Sequence, residues 1–218
     1  MARFRDRREA GQLLAKRLND YAEREDVVVL ALPRGGVPVA FEVAKALNAS
    51  LDILVVRKLG VPGDEELAMG AIASGDVRVL DEEVIRLLGI SDQVIEAVSA
   101  KEKDELRRRE LAYRGQAPPL RLTGATAILV DDGIATGSTM RAAIAATRQQ
   151  CPSKVIVAVP TAPPSTCNEL RRVADEIVAL ITPLLFFSVG HWYATFNQSS
   201  DEEIQQLYGE LRRSDVAA

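Results

Sequence analysis

The chain has 218 residues, of which 47% are hydrophobic and 27% charged, as is usual for a folded globular protein. Its formal net charge of −4 lacks the basic excess that a dedicated nucleic-acid binder uses to replace counterions, which argues against a nucleic-acid partner. No apolar run approaches the ~20 residues of a membrane helix, and the charged N-terminal stretch lacks the apolar core of a secretory signal. We therefore expect a cytoplasmic protein with one domain over 1–218 and two free thiols.

The first part of the chain alternates helix and strand patterns. Leucines at helical spacing predict an opening helix over residues 5–24. Short β-branched runs predict strands over 27–32 and 51–56, with a helix over 37–47 between them. Such a strand–helix–strand unit implies a parallel pair of strands with a right-handed crossover.

Residues 59–124 break this alternation and are interpreted as an insertion with a flexible loop and a charged helix. Glycine and proline punctuate it and end its long helix. We expect a loop over 60–64, followed by strands over 68–73 and 77–80 that are joined by a turn at Gly75-Asp76. A helix over 82–88 comes next. A charged helix then runs from a cap at Ser91 or Asp92 to about Arg114, and residues 115–119 end it.

The alternation returns after the insertion. Strands are predicted over 126–130, 155–159 and 176–181, and helices over 138–150, 164–173 and 201–213. The whole pattern predicts an α/β fold with a Rossmann-like, mainly parallel five-stranded sheet and helices on both faces. The inserted hairpin and helical segment, a small hood over 183–198 and a terminal helix complete the expected domain.

The strongest functional signal is the run that joins strand 126–130 to the next helix. Two acids, Asp131 and Asp132, precede a loop of small residues, Ala135, Thr136, Gly137, Ser138 and Thr139. A helix N-terminus with hydroxyl donors and a close backbone approach suits a phosphate, whereas paired carboxylates accept hydrogen bonds from sugar hydroxyls. Because ligands bind beyond the carboxyl ends of parallel strands, the run predicts a ribose 5-phosphate site.

This run resembles the phosphoribosyl pyrophosphate motif of the type I phosphoribosyltransferases, in which two acids precede a loop of this kind. The resemblance implies that Asp131 and Asp132 hold the ribose and stabilise positive charge on it, and that residues 135–139 bind the 5-phosphate. It also implies Mg²⁺, which substrate oxygens and water would mainly hold. The two acids would contact the metal only through water. We also expect a homodimer. The 6-oxopurine enzymes carry an Asp where Ala135 stands, which argues against such an acceptor.

A second glycine loop, from Pro33 to Val37, follows the first strand. Its glycines allow successive N–H groups to converge on an anion, and an arginine can bind a phosphate bidentately, although a simple turn is an equal interpretation. In the type I family the corresponding loop binds pyrophosphate and often contains a non-proline cis peptide. The resemblance implies this role for Arg34, Gly35 and Gly36.

Arg57 and Lys58 are expected to end the second strand, where two cations would neutralise a departing pyrophosphate. The pair is similar to the Arg-Lys that begins the flexible catalytic loop of orotate phosphoribosyltransferases. Unlike that loop, residues 59–70 contain no further Lys or Arg. A solvated surface pair is the alternative interpretation.

Aromatic residues concentrate in the hood, after the last strand. They could stack a flat acceptor base, and the segment faintly resembles the base-covering hood of purine phosphoribosyltransferases. The candidates are Phe187, Trp192 and Tyr193, with packing of the terminal helix as an equal alternative. His191 is a candidate general base, although a lone histidine is more often structural or on the surface.

The charged helix and the Pro-Gly loop near residue 62 resemble the insertion of the family branch named "putative phosphoribosyltransferase". We therefore expect an enzyme that transfers the phosphoribosyl group from phosphoribosyl pyrophosphate to a nitrogenous base and releases pyrophosphate. A non-catalytic regulator that senses phosphoribosyl pyrophosphate shares the same loop and is the alternative. A dinucleotide-binding protein ranks last, because no GxGxxG follows the first strand.

Overall fold

The structure is a computed structural model and describes residues 3–118 and 121–216. The helices are α1 (Arg7–Arg17), α2 (Gly36–Leu47), α3 (Glu82–Leu88), α4 (Asp92–Arg114), α5 (Ser138–Gln149), α6 (Pro164–Leu170) and α7 (Asp201–Val216). The strands are β1 (Val27–Ala31), β2 (Ser50–Ile53), β3 (Val56–Val61), β4 (Asp64–Ala73), β5 (Val77–Leu80), β6 (Thr126–Val130), β7 (Lys154–Thr161) and β8 (Glu176–Ile181).

The main sheet has five parallel strands in the order β2-β1-β6-β7-β8, which confirms the predicted α/β fold. Successive side chains of β1 point to opposite faces, as the pleat of a strand requires. Val29 packs with α2 residues such as Phe41 in one buried cluster. Leu30 packs in the other with Ile144 of α5. Helices therefore cover both faces of the sheet.

The insertion forms a second, antiparallel sheet in the order β3-β4-β5. The predicted strand over 51–56 is wrong at its end, because the main-sheet strand stops at Ile53 and Val56 begins β3. Ser74 explains the change of sheet, since its backbone N–H donates to the Val55 carbonyl and its Oγ accepts from the Val55 N–H, both at 3.0 Å. Arg57 and Lys58 consequently lie within β3 and do not end the second strand.

Several other boundaries differ from the predictions. The expected loop over 60–64 shrinks to Pro62 and Gly63, between paired strands. The opening helix ends at Arg17, and one turn of 3₁₀ helix follows it. Glu23 has a positive φ of 58°, which an α-helix cannot contain. α6 likewise ends before the predicted residue 173.

Several predictions for the insertion are confirmed, although β4 begins at Asp64, before the predicted residue 68. The last helix begins at the predicted Asp201 and continues to Val216. Gly75 and Asp76 both have positive φ and join β4 to β5. α3 has its predicted bounds, and α4 runs from a cap at Ser91 to Arg114. Of the segment predicted to end α4, Pro119 lies outside the described residues. No helix in the described ranges combines the length and apolar character needed to cross a bilayer.

The order of the strands places two loops side by side. From β1 the chain crosses over to β2 on one side, whereas from β6 it crosses to β7 on the other. The loops after β1 and β6 therefore meet at a topological switch point, where open parallel sheets bind their ligands.

Candidate functional site

Asp131 and Asp132 lie at this switch point, directly after β6. The Asp132 carboxylate accepts a hydrogen bond of 2.8 Å from Nε of Arg7, and both side chains are 12% exposed. The Asp132 N–H donates to Oδ1 of Asp131 at 2.8 Å, and its carbonyl accepts from the Tyr193 hydroxyl. Asp132 is thus held through its side chain and its backbone, while Asp131 is only partly buried.

The electrostatics of this acidic pair favour a ligand that donates hydrogen bonds. Burial and the negative charge of Asp132 raise the pKa of Asp131 well above its ordinary value. Burial also raises the pKa of Asp132, against the opposing charge of Arg7. Since hydrogen bonds to an ionised carboxylate lower its pKa, the hydroxyls of a diol would offset the cost of two adjacent charges.

The glycine loop after β1 packs directly against the acidic pair. A Cβ on Gly35 would lie 2.0 Å from Oδ2 of Asp132, and one on Gly36 would lie 2.6 Å from the Val130 carbonyl oxygen. Only glycine fits at this distance, so the backbone of this loop borders the acids. The peptide between Pro33 and Arg34 is cis, as the family resemblance implied.

The small-residue loop after the acidic pair turns at Gly137 and opens α5. Gly137 has φ +79°, in the left-handed region that favours glycine. Oγ1 of Thr136 lies 3.3 Å from Oγ of Ser138, and Thr166 of α6 donates to the Ala135 carbonyl at 2.8 Å. Ala135, Thr136 and Thr139 are exposed. The loop therefore presents hydroxyls and the N-terminus of a twelve-residue helix at an open surface.

Arg34 turns toward the helices beside its loop. Its Nε donates to the Tyr113 hydroxyl at 3.3 Å and lies 3.2 Å from Oδ1 of Asp201, at the start of α7. The Arg34 side chain is 37% exposed, so its guanidinium remains accessible to an anion. It belongs to the same loop as the glycines that border the acids, and its side chain is shared with α4 and α7.

Arg57 is paired with an acid of the insertion. Its Nε donates to Oε2 of Glu102 in α4 at 2.7 Å, and the Glu102 side chain is 15% exposed. Lys58 lines a cleft of about 690 Å³ between the antiparallel sheet and the start of α5, together with Ser138 and Arg141. Lys58 thus shares a cleft with the first residue of α5, whereas Arg57 is held against α4.

The hood contains both buried and exposed aromatic residues. Trp192 is 5% exposed and Tyr193 3%, and they pack with Phe4 and Ala10 from the N-terminal segment. Phe187 is 78% exposed and makes an edge contact with the exposed His191. Of the predicted base-binding residues, Phe187 alone offers an open ring face; a role for the other two in base binding stays a prediction.

The family model for the phosphoribosyl transferase domain matches residues 6–191 of this chain, which include the acidic pair and both glycine loops. The chain belongs to the phosphoribosyl transferase family. Two Mycobacterium tuberculosis proteins, from strains H37Rv and CDC 1551, are each named "putative phosphoribosyl transferase" and are 50% identical to it over 204 residues. The alignment covers 94% of this chain and 46% of each relative, so the chain spans about half of their length.

A solved structure is similar over the whole phosphoribosyl transferase domain. The crystal structure of TT1426 from Thermus thermophilus superposes with a TM-score of 0.87 at 43% identity. The match covers 96% of this chain and 99% of TT1426. The likeness therefore extends over nearly the whole of both chains.

The phosphoribosyl transferase domain offers Mg²⁺ only a small number of protein ligands. In the described ranges no cluster of three or more His, Cys, Asp or Glu side chains could hold a metal. The carboxylates of Asp131 and Asp132 are adjacent, and Mg²⁺ is commonly bound by one or two carboxylates together with substrate phosphates and water. The donor set fits that mode of binding and does not fit a cage formed by protein groups alone.

Sequence reasoning misses two residues that pair with candidate site residues. Arg7 lies 125 positions before Asp132 in the sequence, and nothing near it marks it as the partner of a buried acid. Glu102 lies on the predicted charged helix, and nothing in the sequence marks it as the partner of Arg57. No local pattern reveals such pairs, because they depend on how distant elements pack.

Proposed function

We propose that this domain transfers the 5-phosphoribosyl group from phosphoribosyl pyrophosphate to a nitrogenous base and releases pyrophosphate. The observation that carries the proposal is the contact between the two loops. The acidic pair lies between a loop that suits the 5-phosphate and a glycine backbone that suits the pyrophosphate. A ligand with a phosphate, a diol and a pyrophosphate matches these groups in that order.

Each group has a defined role in the proposed reaction. Residues 135–139 bind the 5-phosphate, and Asp131 with Asp132 binds the ribose hydroxyls. The bond from the anomeric carbon to pyrophosphate breaks while a bond to the base nitrogen forms, and the acids stabilise the positive charge that develops on the ribose. Mg²⁺, when bound, neutralises charge on the pyrophosphate.

The pyrophosphate is bound in this proposal by the backbone of Gly35 and Gly36 and by the cations Arg34, Arg57 and Lys58. Arg34 is partly exposed, and Lys58 lines the same cleft as Ser138 at the start of α5. Arg57 contributes only after it separates from Glu102. The acceptor base approaches from the side of the hood, where Phe187 is exposed.

One observation favours a second candidate, a non-catalytic regulator that senses phosphoribosyl pyrophosphate. Arg57 and Arg34, which would bind the leaving group, already have acidic partners in Glu102 and Asp201. Binding without transfer makes less demand on these cations. The net charge of −4 makes a protein partner a better match than a nucleic acid for such a regulator.

Calorimetry with phosphoribosyl pyrophosphate and Mg²⁺, beside a pyrophosphate-release assay over a panel of bases, tests both candidates. The double variant Asp131→Asn with Asp132→Asn should lose binding while it stays folded. The matched control, Asp76→Asn with Glu96→Gln, removes two acids whose ion pairs lie between the antiparallel sheet and α4 and should bind normally. Binding without release by any base would support the regulator, and unchanged affinity in the Asp131/Asp132 variant would refute both. Sedimentation of the same samples tests the expected homodimer.

A further inference from the structure

In the described part of the chain, Arg7 is a cation in direct contact with the acidic pair. It is the first residue of α1, and its Nε donates to Oδ2 of Asp132 at 2.8 Å. Both side chains are 12% exposed, so water screens this pair weakly. The neighbouring Arg8 differs, because it pairs with Glu42 of α2 and is 67% exposed.

The same guanidinium also holds the hood. Nη1 of Arg7 donates to the Asn197 carbonyl at 2.6 Å, and the guanidinium carbon lies 3.9 Å from the centre of the Phe196 ring. Phe196 in turn stacks on Tyr193, whose hydroxyl donates to the Asp132 carbonyl. Arg7 therefore closes a ring of contacts that joins α1, the hood and the acidic pair.

The two acids consequently have different surroundings. Oδ2 of Asp132 is occupied by Arg7, and its position is further confined by the backbone of Gly35. Asp131 has a bond to the Asp132 N–H and lies nearer to open surface. Among the residues that the structure describes, Arg7 from α1 and Tyr193 from the hood make direct contacts with Asp132, and the loop after β1 approaches the pair through the backbone of Gly35 and Gly36.

We infer that Arg7 is a positioning residue, which fixes Asp132 and the hood so that Asp131 faces the ribose hydroxyls. This inference rests on the proposed binding of phosphoribosyl pyrophosphate. Loss of Arg7 therefore acts on affinity through the acidic pair, without removing a group that touches the substrate.

The test compares Arg7→Ala, Arg7→Lys and Arg8→Ala by calorimetry with phosphoribosyl pyrophosphate and Mg²⁺. Arg7→Ala should weaken binding by about tenfold or more, the order expected when a charged hydrogen bond is lost. Arg7→Lys should restore part of the affinity, since it keeps the charge but loses the planar fork.

Arg8→Ala removes an ion pair from the same helix and should leave affinity unchanged. Equal losses in Arg7→Ala and Arg8→Ala, or no recovery of affinity in Arg7→Lys, would overturn the inference. If the unmodified protein bound no phosphoribosyl pyrophosphate, the proposed function would fail separately. The melting temperatures would then still decide whether Arg7 anchors Asp132 and the hood, and equal melting temperatures in the unmodified protein and Arg7→Ala would overturn the inference.

Discussion

Gly35 and Asp132 approach each other so closely that a Cβ on Gly35 would lie 2.0 Å from the Asp132 carboxylate oxygen Oδ2. The carboxylate cannot move away freely, because Arg7 holds the same oxygen at 2.8 Å. The two loops of the site are therefore in contact through a glycine backbone and an anchored acid.

Gly35→Ala should separate the loops. We expect a loss of about 1–3 kcal/mol in the free energy of unfolding, the usual cost of overpacking, and a large loss of affinity for phosphoribosyl pyrophosphate. Urea unfolding and calorimetry measure the two effects. Gly209→Ala is the control, since a Cβ there meets no atom within 4 Å; in the middle of α7 it should stabilise the chain by about 0.5–1 kcal/mol. A Gly35→Ala protein as stable as the parent would contradict the close approach.

Asp131→Asn should stabilise the protein at neutral pH while it weakens binding. The folded chain raises the pKa of Asp131 well above the usual 3.8, so the native state binds this proton more tightly than the unfolded chain does. The stability contributed by this group is fully present below pH 3.8 and is lost as the pH rises through the folded pKa. The substitution removes that loss. At pH values above the folded pKa of Asp131, the variant should therefore melt at a higher temperature than the parent, and in acid the two melting temperatures should converge.

The size of the effect is read from melting curves recorded over a range of pH. Each kcal/mol gained corresponds to about 2–4 °C in a domain of this length. Asp132→Asn is the informative comparison, because it removes the partner of Arg7 and should destabilise the chain by about 1–3 kcal/mol. A destabilised Asp131→Asn protein at neutral pH would show that the acidic pair carries no unfavourable charge.

Glu102→Gln should release Arg57 from α4. If Arg57 binds pyrophosphate, it must first leave Glu102, with which it makes a bond of 2.7 Å. Removing that competition should strengthen phosphoribosyl pyrophosphate binding by a few-fold, in line with the ~0.2–1 kcal/mol of a partly exposed ion pair. Calorimetry measures the change. Glu105→Gln is the matched control, because Glu105 pairs with Arg108 and Arg109; equal affinities in all three proteins would exclude Arg57 from the pyrophosphate site.

Substitutions of Phe187 and Trp192 should have different effects: the first on binding of the acceptor base, the second on the stability of the hood. Phe187 is 78% exposed, so Phe187→Ala should change the free energy of unfolding by less than about 0.5 kcal/mol. It should raise the KM of the acceptor base and leave phosphoribosyl pyrophosphate affinity unchanged. Trp192 is 5% exposed, and Trp192→Ala should cost about 3–5 kcal/mol by creating a cavity. An unchanged KM in Phe187→Ala would remove the hood from the proposed acceptor site.

Much of the main sheet can be predicted from sequence because its strands are short β-branched runs between helices. The predicted ends of β1, β6 and β8 lie within one residue of the observed ends. The end of β2 cannot be predicted in this way. Val55 and Val56 continue the apolar run, yet β2 ends at Ile53 and Val56 begins β3 of the antiparallel sheet. An apolar pattern shows that a strand is buried, and it does not show which sheet contains the strand.

Local sequence was sufficient for the α/β alternation, the acidic pair, the helix N-terminus that follows it and the glycine loop after β1. Each of these features depends on a few consecutive residues and their backbone preferences. Tertiary packing, in contrast, established that Arg7 holds Asp132, that Glu102 holds Arg57, and that Trp192 and Tyr193 are buried. Such contacts join residues that are distant in the chain, and they depend on packing geometry that no local pattern encodes.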